Sequence, residues 1–594
     1  MARETRSIGR KWLVGFKLCC CLVWLASIAG AQTITVNNRL ANLYAYDPFP
    51  NPCPGGMTVS NIPSGFHLER PHAVFNSSTN RWVLWAHYDN SNYTTASALV
   101  ATSPTQCGPY TISSIFQPLG RQVRDDFLFK DTDGTAYFIA ASNKNGGAND
   151  TMAIFKLTSD YLAVDSSAGM TWVFDGAFRE APIVLKNGST YFLLTSQAAG
   201  WFPSQGAYAT STSMMSGWSA LSNLGNSSTF GGQNARLKTI QGTATTSYVL
   251  VLDHLGGNTA RDDGALWLPL TFSGNTVTMN WYTSYQVNLT TGALTLPPIT
   301  NLAAGRPATA SSSAAANPPN LAADGNYGTR WIASAAAWPS WWMVDLGAAR
   351  AIGEIDISWY MVKGSEGYYQ YRIAYSTDGA NFTTLDRTDN VTYGFTSDQV
   401  NFSARYVRVE LVNAVLWNNP NNWYTPQLWD VRILPPAQTV INVSNNSFEA
   451  PATGTYAYNP SGGSWTFSGA SPSGSGVSAN GSGFTAGNPA APQGTQVAFL
   501  QRTGTISQSI GGFVAGRTYT ITFSAAQRAN KSGGQPGQTW NVVVNGLTVA
   551  SFAPPRTATG YEDYEATFTA TATTNTIGFS GTNLNGGDNT VFID

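Results

Sequence analysis

Four short apolar runs recur along the first half of the sequence, each about 55 residues after the one before. The runs begin at Trp82, Ala136, Thr190 and Ser247. Turn-forming residues often precede them, as at 131–134. One four-stranded sheet per repeat explains this spacing, and small sheets of that kind are the blades of a β-propeller. Four blades are evident, and a fifth has to come from the short, Pro-rich stretch before Glu69.

The composition predicts an all-β fold along the whole chain. Only 11% of its 594 residues are charged and 12% are aromatic, a mixture typical of short strands joined by polar turns. Proline pairs at 297–298 and 435–436 mark the ends of segments. We therefore predict a five-bladed β-propeller with a shortened first blade over 32–298, followed by two independent β-sandwiches over 299–435 and 437–594.

The N-terminus has the pattern of a secretory signal peptide over 1–31. A basic stretch at 3–11 precedes an apolar run at 18–28, and small residues at 29–31 suit cleavage. Because the run is short for a membrane span and Lys17 interrupts the apolar region, we predict a secreted, extracellular protein without membrane contact after cleavage. Cys53 and Cys107 then remain. In an exported protein such a pair predicts a disulfide, with two separate thiols as the alternative.

The charge pattern narrows the class of partner. The net charge is −1 and no basic cluster follows the first 20 residues, so we predict no nucleic-acid partner. Abundant Trp and Tyr with few charges suit a polysaccharide, because a pyranose ring offers a C–H face that packs on an aromatic plane. We expect the protein to bind polysaccharide and to act as a monomer.

Three acidic residues stand where strands of the first segment begin or end, each beside an arginine. They are Glu69, Asp125 and Glu180. In a propeller, the innermost strand of each blade can aim such a side chain into the central funnel. Glycoside hydrolysis needs a proton donor and a group that activates or replaces water, and carboxyl groups usually supply both. The alternative interpretation is that these neighbours are surface charges at blade junctions.

The motifs of the first segment, taken in order, resemble glycoside hydrolase family 43, whose members are inverting enzymes with five-bladed propellers. They are most similar to its exo-β-1,3-galactanase branch. The motifs include Glu69-Arg70-Pro71, Arg124-Asp125, Arg179-Glu180-Ala181-Pro182, Gly200-Trp201 and Gly232-Gln233-Asn234. The resemblance covers about 69–290. It implies an exo-acting glycosidase that hydrolyses the O-glycosyl bonds of β-1,3-galactan without a cofactor for catalysis.

The resemblance also implies a role for each matching residue. Glu180 is implied as the general acid. Asp125 is implied as the carboxylate that orients this acid and keeps it protonated, since a nearby negative charge raises the pKa of a carboxyl group. Glu69 and Asn149 are implied as ligands of sugar hydroxyls, and Trp201 as the residue that stacks on the sugar.

Gln233 stands where the galactanase branch has a glutamine that orients the attacking water, in place of the family's usual aspartate base. Since an amide is a poor base, this role rests on the resemblance, and a turn-capping glutamine is the alternative. Asp47 is the alternative base, but prolines follow it and we interpret it as a turn residue. We expect Glu180 to face Gln233 across a gap of about 6.5–9.5 Å, the separation typical of inverting pairs.

The two C-terminal segments resemble carbohydrate-binding modules. The second is similar to the discoidin-like F5/8 type C sandwich of carbohydrate-binding module family 32, on motifs at 323–325, 329–331, 341–347 and 405–408. That family implies a structural Ca²⁺ held by the loop of Asp324 and Thr329. The candidate sugar ligands of this segment, some of which are alternatively core residues, are Trp359, Tyr360, Trp417 and Trp423. The third segment resembles jelly-roll modules in which Glu449 and Asp594 share a Ca²⁺.

Three functions remain open from the sequence. The first is an active exo-acting galactanase, and the second is another family 43 glycosidase that acts on arabinan or xylan. The third is a non-catalytic sugar-binding protein with a damaged propeller. Gln233 without a first-blade aspartate favours the first function over the second, whereas the short first blade favours the third.

Overall fold

In a computed structural model, the chain folds as β-strands joined by turns and short 3₁₀ helices, as the composition predicts. The structure describes residues 33–38, 48–53, 56–256, 264–361, 363–418, 424–436, 441–469, 471, 473–530, 536–585 and 589–594. They divide between two compact units, 1–437 and 438–594. None of the helices in the described parts is long and apolar enough to cross a membrane. The predicted signal peptide lies outside the described residues.

Four sheets follow one another in the first segment, after the N-terminal strand β1 (Thr33–Asn37), and they are antiparallel except where β2 pairs with β6 in the first. The first contains β2 (Val59–Ser60), β3 (Phe66–Asn76), β4 (Arg81–Asn90), β5 (Ser97–Ser103) and β6 (Tyr110–Phe116). The second contains β7 (Val123–Lys130), β8 (Ala136–Ser142), β9 (Thr151–Lys156) and β10 (Met170–Val173). The third contains β11 (Arg179–Asn187), β12 (Thr190–Gln197), β13 (Gly206–Ser211) and β14 (Ser222–Leu224). The fourth contains β15 (Gly232–Gln241), β16 (Thr246–His254), β17 (Ala265–Ser273) and β18 (Thr276–Met279).

The predicted repeat is confirmed, because the four apolar runs are the corresponding strands β4, β8, β12 and β16. Each run is buried on both faces. In β12, Phe192 and Leu194 pack with the fourth sheet, whereas Tyr191 and Leu193 pack with the second. Successive side chains of a strand point to opposite faces, so a strand between two sheets has to be apolar at every position. The edge strands β3, β7, β11 and β15 lie side by side.

The expectation that the stretch before Glu69 supplies a further blade by itself is wrong for the described residues. Strand β1 pairs with β19 (Ser284–Asn288), which pairs with β20 (Leu294–Thr295), so the N-terminus joins the end of the segment in a three-stranded sheet. Much of the remaining stretch, 39–47, lies outside the described residues. Pairing between distant parts of a chain is non-local and leaves no local sequence pattern.

The predicted disulfide is confirmed. Cys53 and Cys107 are bonded, with their Cα atoms 5.4 Å apart. The bond joins the stretch before β3 to the loop between β5 and β6. Cys53 is buried with Leu84 and Leu99 of the first sheet, so the disulfide fastens the N-terminal stretch to the outer part of that sheet.

The second segment forms one antiparallel sheet system in the same compact unit as the first. Its strands are β21 (Ala308–Ala310), β22 (Trp331–Ile332), β23 (Ser340–Trp359), β24 (Gly367–Ser376), β25 (Thr383–Arg387), β26 (Phe395–Leu416) and β27 (Gln427–Leu434). The paired strands β23 and β26 contain 20 and 22 residues and are interrupted by irregular register. Bulges of this kind bend a strand, so that it can close over a core.

The third segment forms two antiparallel sheets over a core that includes Phe448, Trp465 and Trp540, as a β-sandwich does. One sheet contains β28 (Tyr456–Tyr458), β30 (Ser475–Ala479), β31 (Gln496–Gln501), β38 (Thr590–Ile593), β33 (Thr518–Gln527) and β36 (Glu562–Thr569). The other contains β29 (Thr466–Phe467), β32 (Thr505–Gly511), β37 (Thr574–Gly581), β34 (Trp540–Val544) and β35 (Leu547–Phe552). The described 3₁₀ helices are Pro118–Gly120, Thr229–Gly231 and Pro319–Ala322.

Candidate active site

In each of the four edge strands of the first segment, a register shift interrupts the regular pairing with the neighbouring strand. The register shifts fall at 69–72 in β3, 123–126 in β7, 180–183 in β11 and 234–236 in β15. A bulge turns a side chain away from its regular direction, and bulges are common beside active sites. The predicted residues of these strands, Glu69, Asp125, Glu180 and Gln233, stand at or beside the bulges. The local backbone therefore positions the residues that the sequence singled out.

Arg70 connects these residues, although the sequence assigned it no role. Its φ is 48°, a conformation that few residues other than glycine adopt. Its guanidinium donates hydrogen bonds to Oε1 of Gln233 and to the carbonyl oxygen of Asn234. Its Nε lies 3.5 Å from Oδ2 of Asp125, and its Nη1 lies 3.4 Å from Oδ2 of Asp253. The motif Glu69-Arg70-Pro71 was the signal that could have revealed it.

Glu180 is the candidate proton donor. Its carboxyl group is buried and accepts hydrogen bonds from Nε2 of Gln233 at 2.8 Å and from Nδ2 of Asn149 at 3.0 Å. Burial, followed by the negative charge of Asp125, raises the pKa of Glu180 to about 8. The carboxyl group is therefore protonated at neutral pH, as a general acid has to be. The alternative of a surface charge is wrong here, since both Arg179 and Glu180 are buried.

The expected gap between Glu180 and Gln233 is absent, since Nε2 of Gln233 contacts Oε1 of Glu180 directly. The orientation of the amide follows from Arg70, which only donates hydrogen bonds and therefore faces Oε1 of Gln233. A buried carboxyl group needs hydrogen-bond partners, and here the amide of Gln233 provides one. A sugar and a water can enter between the two side chains only after this hydrogen bond opens.

Asn149 contacts the acid, whereas the resemblance implied contact with a sugar hydroxyl. Its Nδ2 donates to Oε2 of Glu180, and its Oδ1 is buried without a hydrogen-bond partner. Its φ of 56° directs the side chain from a loop beside β9 toward the acid. Rotating this amide by half a turn brings Oδ1 to Oε2, where it can accept a hydrogen bond from the protonated acid. Asn149 can thus bond to both protonation states of Glu180.

Glu69 is held as a carboxylate. Its Oε2 lies 3.0 Å from Nδ1 of His87, and its Oε1 accepts a hydrogen bond of 2.7 Å from the Tyr93 hydroxyl. Although burial acts to raise the pKa of Glu69, these hydrogen bonds and the charge of His87 lower it. Nε2 of His87 lies 2.8 Å from Oδ2 of Asp89. His87 and Tyr93 are site residues to which sequence reasoning assigned no role.

Glu69, His87 and Asp125 bring their donor atoms within 4.8 Å of one another, which raises the question of a metal site. Burial lowers the pKa of His87, but hydrogen bonds to Asp89 and Glu69 outweigh it and raise that pKa to about 9. Each imidazole nitrogen of His87 faces a carboxylate, Nδ1 that of Glu69 and Nε2 that of Asp89, so the contacts present make this cluster a network of charged hydrogen bonds.

Comparison with known families is consistent with this geometry. Residues 75–248 match the sequence profile of glycosyl hydrolases family 43. This part of the chain is a family 43 glycosidase domain. Residues 307–426 match the F5/8 type C domain, and residues 444–591 match a domain of unknown function, DUF642. The resemblances of the first segment to family 43 and of the second to the F5/8 type C domain are thereby confirmed. No curated protein matches the chain.

Among solved structures, two exo-β-1,3-galactanases are similar to this chain. The enzyme from Phanerochaete chrysosporium, solved with galactose, is 22% identical over 63% of this chain and 85% of its own, with a TM-score of 0.41. The enzyme from Clostridium thermocellum is 24% identical over 62% of this chain and 83% of its own, with a TM-score of 0.38.

The predicted sugar ligands of the family 43 and F5/8 type C domains differ in accessibility. Trp201 and Trp417 are 50% and 46% exposed and can stack on a sugar. The prediction for Trp359 is wrong, because its ring is fully buried against Tyr369 and its Nε1 donates to Thr396. Tyr360 is half-buried beneath the guanidinium of Arg330. Trp423 lies outside the described residues.

The residues of the predicted calcium loop in the F5/8 type C domain fit a hard cation. Oδ2 of Asp324 accepts a hydrogen bond of 2.7 Å from the Thr329 hydroxyl. Asp430 of β27 approaches the same loop, where its Oδ1 accepts a hydrogen bond of 3.3 Å from the amide of Gly325. Its Oδ2 is buried without a partner, and burial raises the pKa of Asp430 to about 7. Asp324, Thr329 and Asp430 would hold Ca²⁺, which neutralises the buried carboxylate and fastens the loop to the sheet.

We expect Ca²⁺ to stabilise the full-length protein and Asp430→Asn to remove that effect. A ligand that binds only the folded state stabilises it by about 2.7 kcal/mol at a hundredfold excess over Kd, which here corresponds to a rise of about 5 °C in Tm. Differential scanning fluorimetry with and without chelator measures this shift. Asp378→Asn changes an exposed turn aspartate of the same domain and is the control. A Tm that chelation leaves unchanged in the wild type contradicts the site.

In the third segment, the two predicted calcium ligands lie near each other. Glu449 accepts hydrogen bonds from the amides of Thr495 and Gln496 and from the Thr495 hydroxyl. Oδ2 of Asp594 accepts a hydrogen bond from the amide of Gln493, and Oδ1 is buried without a partner. Burial raises the pKa of Asp594 to about 6, with a further contribution from Glu449. Two adjacent carboxylates with one uncompensated oxygen suit a Ca²⁺ ligand set, and this site stays a prediction.

Proposed function

We propose that this protein is a secreted, monomeric glycoside hydrolase that releases galactose from the end of β-1,3-galactan with inversion. The observation that carries the proposal is the buried carboxyl group of Glu180, whose pKa is raised to about 8 beside Asp125. A neutral acid next to ionised carboxylates is the arrangement that glycoside hydrolysis requires. Since four separate strands contribute to this site, the proposal of an active enzyme is favoured over that of a damaged, sugar-binding propeller.

In this proposal, the four sheets and the three-stranded sheet of β1, β19 and β20 are the five blades of one propeller. The bulged ends of β3, β7, β11 and β15 then open on a common funnel. The terminal galactose enters this funnel among Glu69, Asp125 and Arg70, where charged groups hydrogen-bond its hydroxyls. Charge-assisted hydrogen bonds are about twice as strong as neutral ones, so these contacts fix the orientation of the sugar ring.

The proposed reaction has one chemical step. Glu180 donates its proton to the glycosidic oxygen while the bond from that oxygen to the anomeric carbon breaks. A water on the opposite face of the ring attacks the same carbon. Gln233 holds this water through its amide and leaves the water's proton to solvent, because a neutral amide accepts no proton near pH 7. Arg70 holds Gln233 in place during the step.

The choice of β-1,3-galactan rests on Gln233 and its motif Gly232-Gln233-Asn234. The galactanase branch that this motif resembles uses an amide where other family 43 enzymes use an aspartate base.

The rest of the proposal concerns the accessory domains and secretion. The F5/8 type C domain and the third segment bind polysaccharide, and Ca²⁺ stabilises their loops. The signal-peptide pattern and the Cys53–Cys107 disulfide support secretion.

The experiment that tests the proposal is product analysis with purified protein. We expect galactose from β-1,3-galactan and no sugar from arabinan or xylan. Proton NMR during the first minutes shows the anomer that forms, and inversion of a β-bond gives α-galactose first. Release of arabinose or xylose instead assigns the protein to another specificity within its family. If β-galactose appears first, the inverting mechanism is wrong.

A further inference from the structure

The F5/8 type C domain is joined to the family 43 domain by buried polar contacts. Glu354 of β23 accepts hydrogen bonds from Nε1 of Trp281 at 3.2 Å and from the Thr283 hydroxyl at 2.7 Å. Nδ2 of Asn226 donates to the Ser358 hydroxyl at 3.0 Å, with both side chains buried. These hydrogen bonds are shielded from water and satisfy polar groups of both domains, so they fix how the two domains fit together.

Apolar contacts at this junction form a shared core. Phe395 of β26 is buried in the same cluster as residues of the third and fourth sheets. Its ring centroid lies 5.2 Å from that of Phe230 and 5.1 Å from that of Trp281. The expectation of an independent second domain is therefore wrong. A fixed junction also fixes which surface of the F5/8 type C domain faces the family 43 domain.

A cavity of about 210 Å³ lies between the two domains. Ala199 and Ser204 line it from the family 43 side, and Lys363 and Glu366 line it from the F5/8 type C side. Ala199 is also a neighbour of the acid, since its backbone amide donates a hydrogen bond of 3.4 Å to Oε1 of Glu180. The loop that carries Ala199 thus touches the catalytic carboxyl group and the cavity.

Aromatic and charged side chains stand beside this cavity. The half-exposed indole of Trp417 is held by a hydrogen bond of 3.1 Å from its Nε1 to Oε2 of Glu366, and its ring lies 5.5 Å from that of Phe202. Nζ of Lys363 lies 5.5 Å from the ring of Phe178, two residues before the acid. A held, half-exposed indole with adjacent polar groups suits a sugar ring and its hydroxyls.

We propose that Trp417, with Lys363 and Glu366, forms a leaving-group subsite of the family 43 domain for neutral β-linked galactose units. This inference rests on the proposed function. The loop of Ala199 contacts Oε1 of Glu180 and also lines the cavity, so it connects the acid with the space beside Trp417. The acid protonates the oxygen that leaves, so the chain that leaves with this oxygen lies along that loop. Trp417 therefore serves substrate binding from beside this cavity, where Glu366 holds its indole, although it belongs to the other domain.

The test compares two substrates that differ only in the leaving group, β-1,3-galactotriose and β-galactosyl fluoride. Trp417→Ala is expected to lower kcat/KM on the trisaccharide about tenfold, a change typical of the loss of one aromatic stacking contact. On the fluoride, whose leaving group cannot reach the subsite, kcat/KM is expected to change less than about twofold. Trp417→Phe is expected to keep most of the kcat/KM on the trisaccharide that Trp417→Ala loses. Trp341→Ala, at a half-buried Trp beside Arg408 in the same domain, is the control.

A binding measurement separates failure of this inference from failure of the proposed function. Calorimetry in the Glu180→Gln background compares a trisaccharide with its monosaccharide, for galactan, arabinan and xylan in turn. If another polymer is the substrate, Trp417→Ala still lowers the affinity for the trisaccharide of that polymer about tenfold and leaves the affinity for its monosaccharide unchanged. The subsite is overturned if Trp417→Ala lowers kcat/KM equally on galactotriose and on the fluoride. It is also overturned if Trp417→Ala does not weaken the binding of any trisaccharide more than that of its monosaccharide. Thermal melting confirms that each variant is folded.

Discussion

Glu180→Gln is expected to lower kcat on β-1,3-galactan by about 10³-fold or more, within the range that general acid catalysis usually contributes. The substitution removes the proton that the leaving oxygen requires and keeps the size of the side chain. The Gln side chain still offers an acceptor to Gln233 or Asn149, so the site keeps its shape. Affinity for β-1,3-galactotriose, measured by calorimetry, is therefore expected to stay within about threefold of the wild type.

β-Galactosyl fluoride provides an internal comparison for this variant. Fluoride leaves without a proton, so Glu180→Gln is expected to slow its hydrolysis much less than that of galactan. Glu565→Gln, at an exposed glutamate of the third segment, is the matched control and is expected to leave both rates unchanged. Equal losses on both substrates would mean that Glu180 acts on the water or on binding, and the assignment of the acid would be wrong.

The same candidate acid is expected to determine how activity falls at alkaline pH. A general acid is active when protonated, and the pKa of Glu180 is raised to about 8, first by burial and then by Asp125. Hydrolysis of galactan is therefore expected to fall as the pH rises through about 8. Asp125→Asn removes the neighbouring negative charge, so the fall is expected at lower pH. Hydrolysis of β-galactosyl fluoride is expected not to fall in this pH range, because fluoride leaves without a proton.

The strands that carry the site were predictable from local sequence patterns, whereas the contacts between them were not. The recurring apolar runs located β4, β8, β12 and β16, because strands buried on both faces have to be apolar throughout. The error at Trp359 has a different cause, because its burial depends on contacts between residues that are distant in the chain. Whether a tryptophan near a loop is buried depends on Tyr369 and Thr396, which follow it in the chain and reach it only in the folded domain.

The candidate catalytic carboxyl groups were predictable from motifs, but the residues that tune their pKa values were predictable only in part. Asp125 was expected to raise the pKa of Glu180, and it is the second cause of that rise, after burial. The roles of Arg70 and His87 depend on neighbours from other strands. Arg70 contacts Gln233, Asp125 and Asp253, so its motif could mark it as a site residue but could not show these contacts.

Gln233→Ala is expected to lower kcat on galactan by about 10²-fold or more, with a smaller change in KM, if the amide orients the attacking water. The rate on β-galactosyl fluoride is expected to fall equally, because both substrates need the same water. An equal fall in rate on both substrates distinguishes Gln233→Ala from Glu180→Gln, for which the fall in rate depends on the leaving group. Gln233→Glu places a carboxylate at the same position and beside Arg70, so it tests whether a true base can replace the amide.

Two aspartates are the controls for this assignment, and one of them lies close to Gln233. Asp253 pairs with Gln233 across β15 and β16, and its Oδ2 lies 3.4 Å from Nη1 of Arg70. Asp47 lies outside the described residues. If Gln233 orients the water, Asp253→Asn and Asp47→Asn each change kcat less than about tenfold. If Asp253→Asn or Asp47→Asn abolishes hydrolysis while Gln233→Ala leaves it intact, a carboxylate deprotonates the water. The enzyme then works with two carboxyl groups, as most glycosidases do.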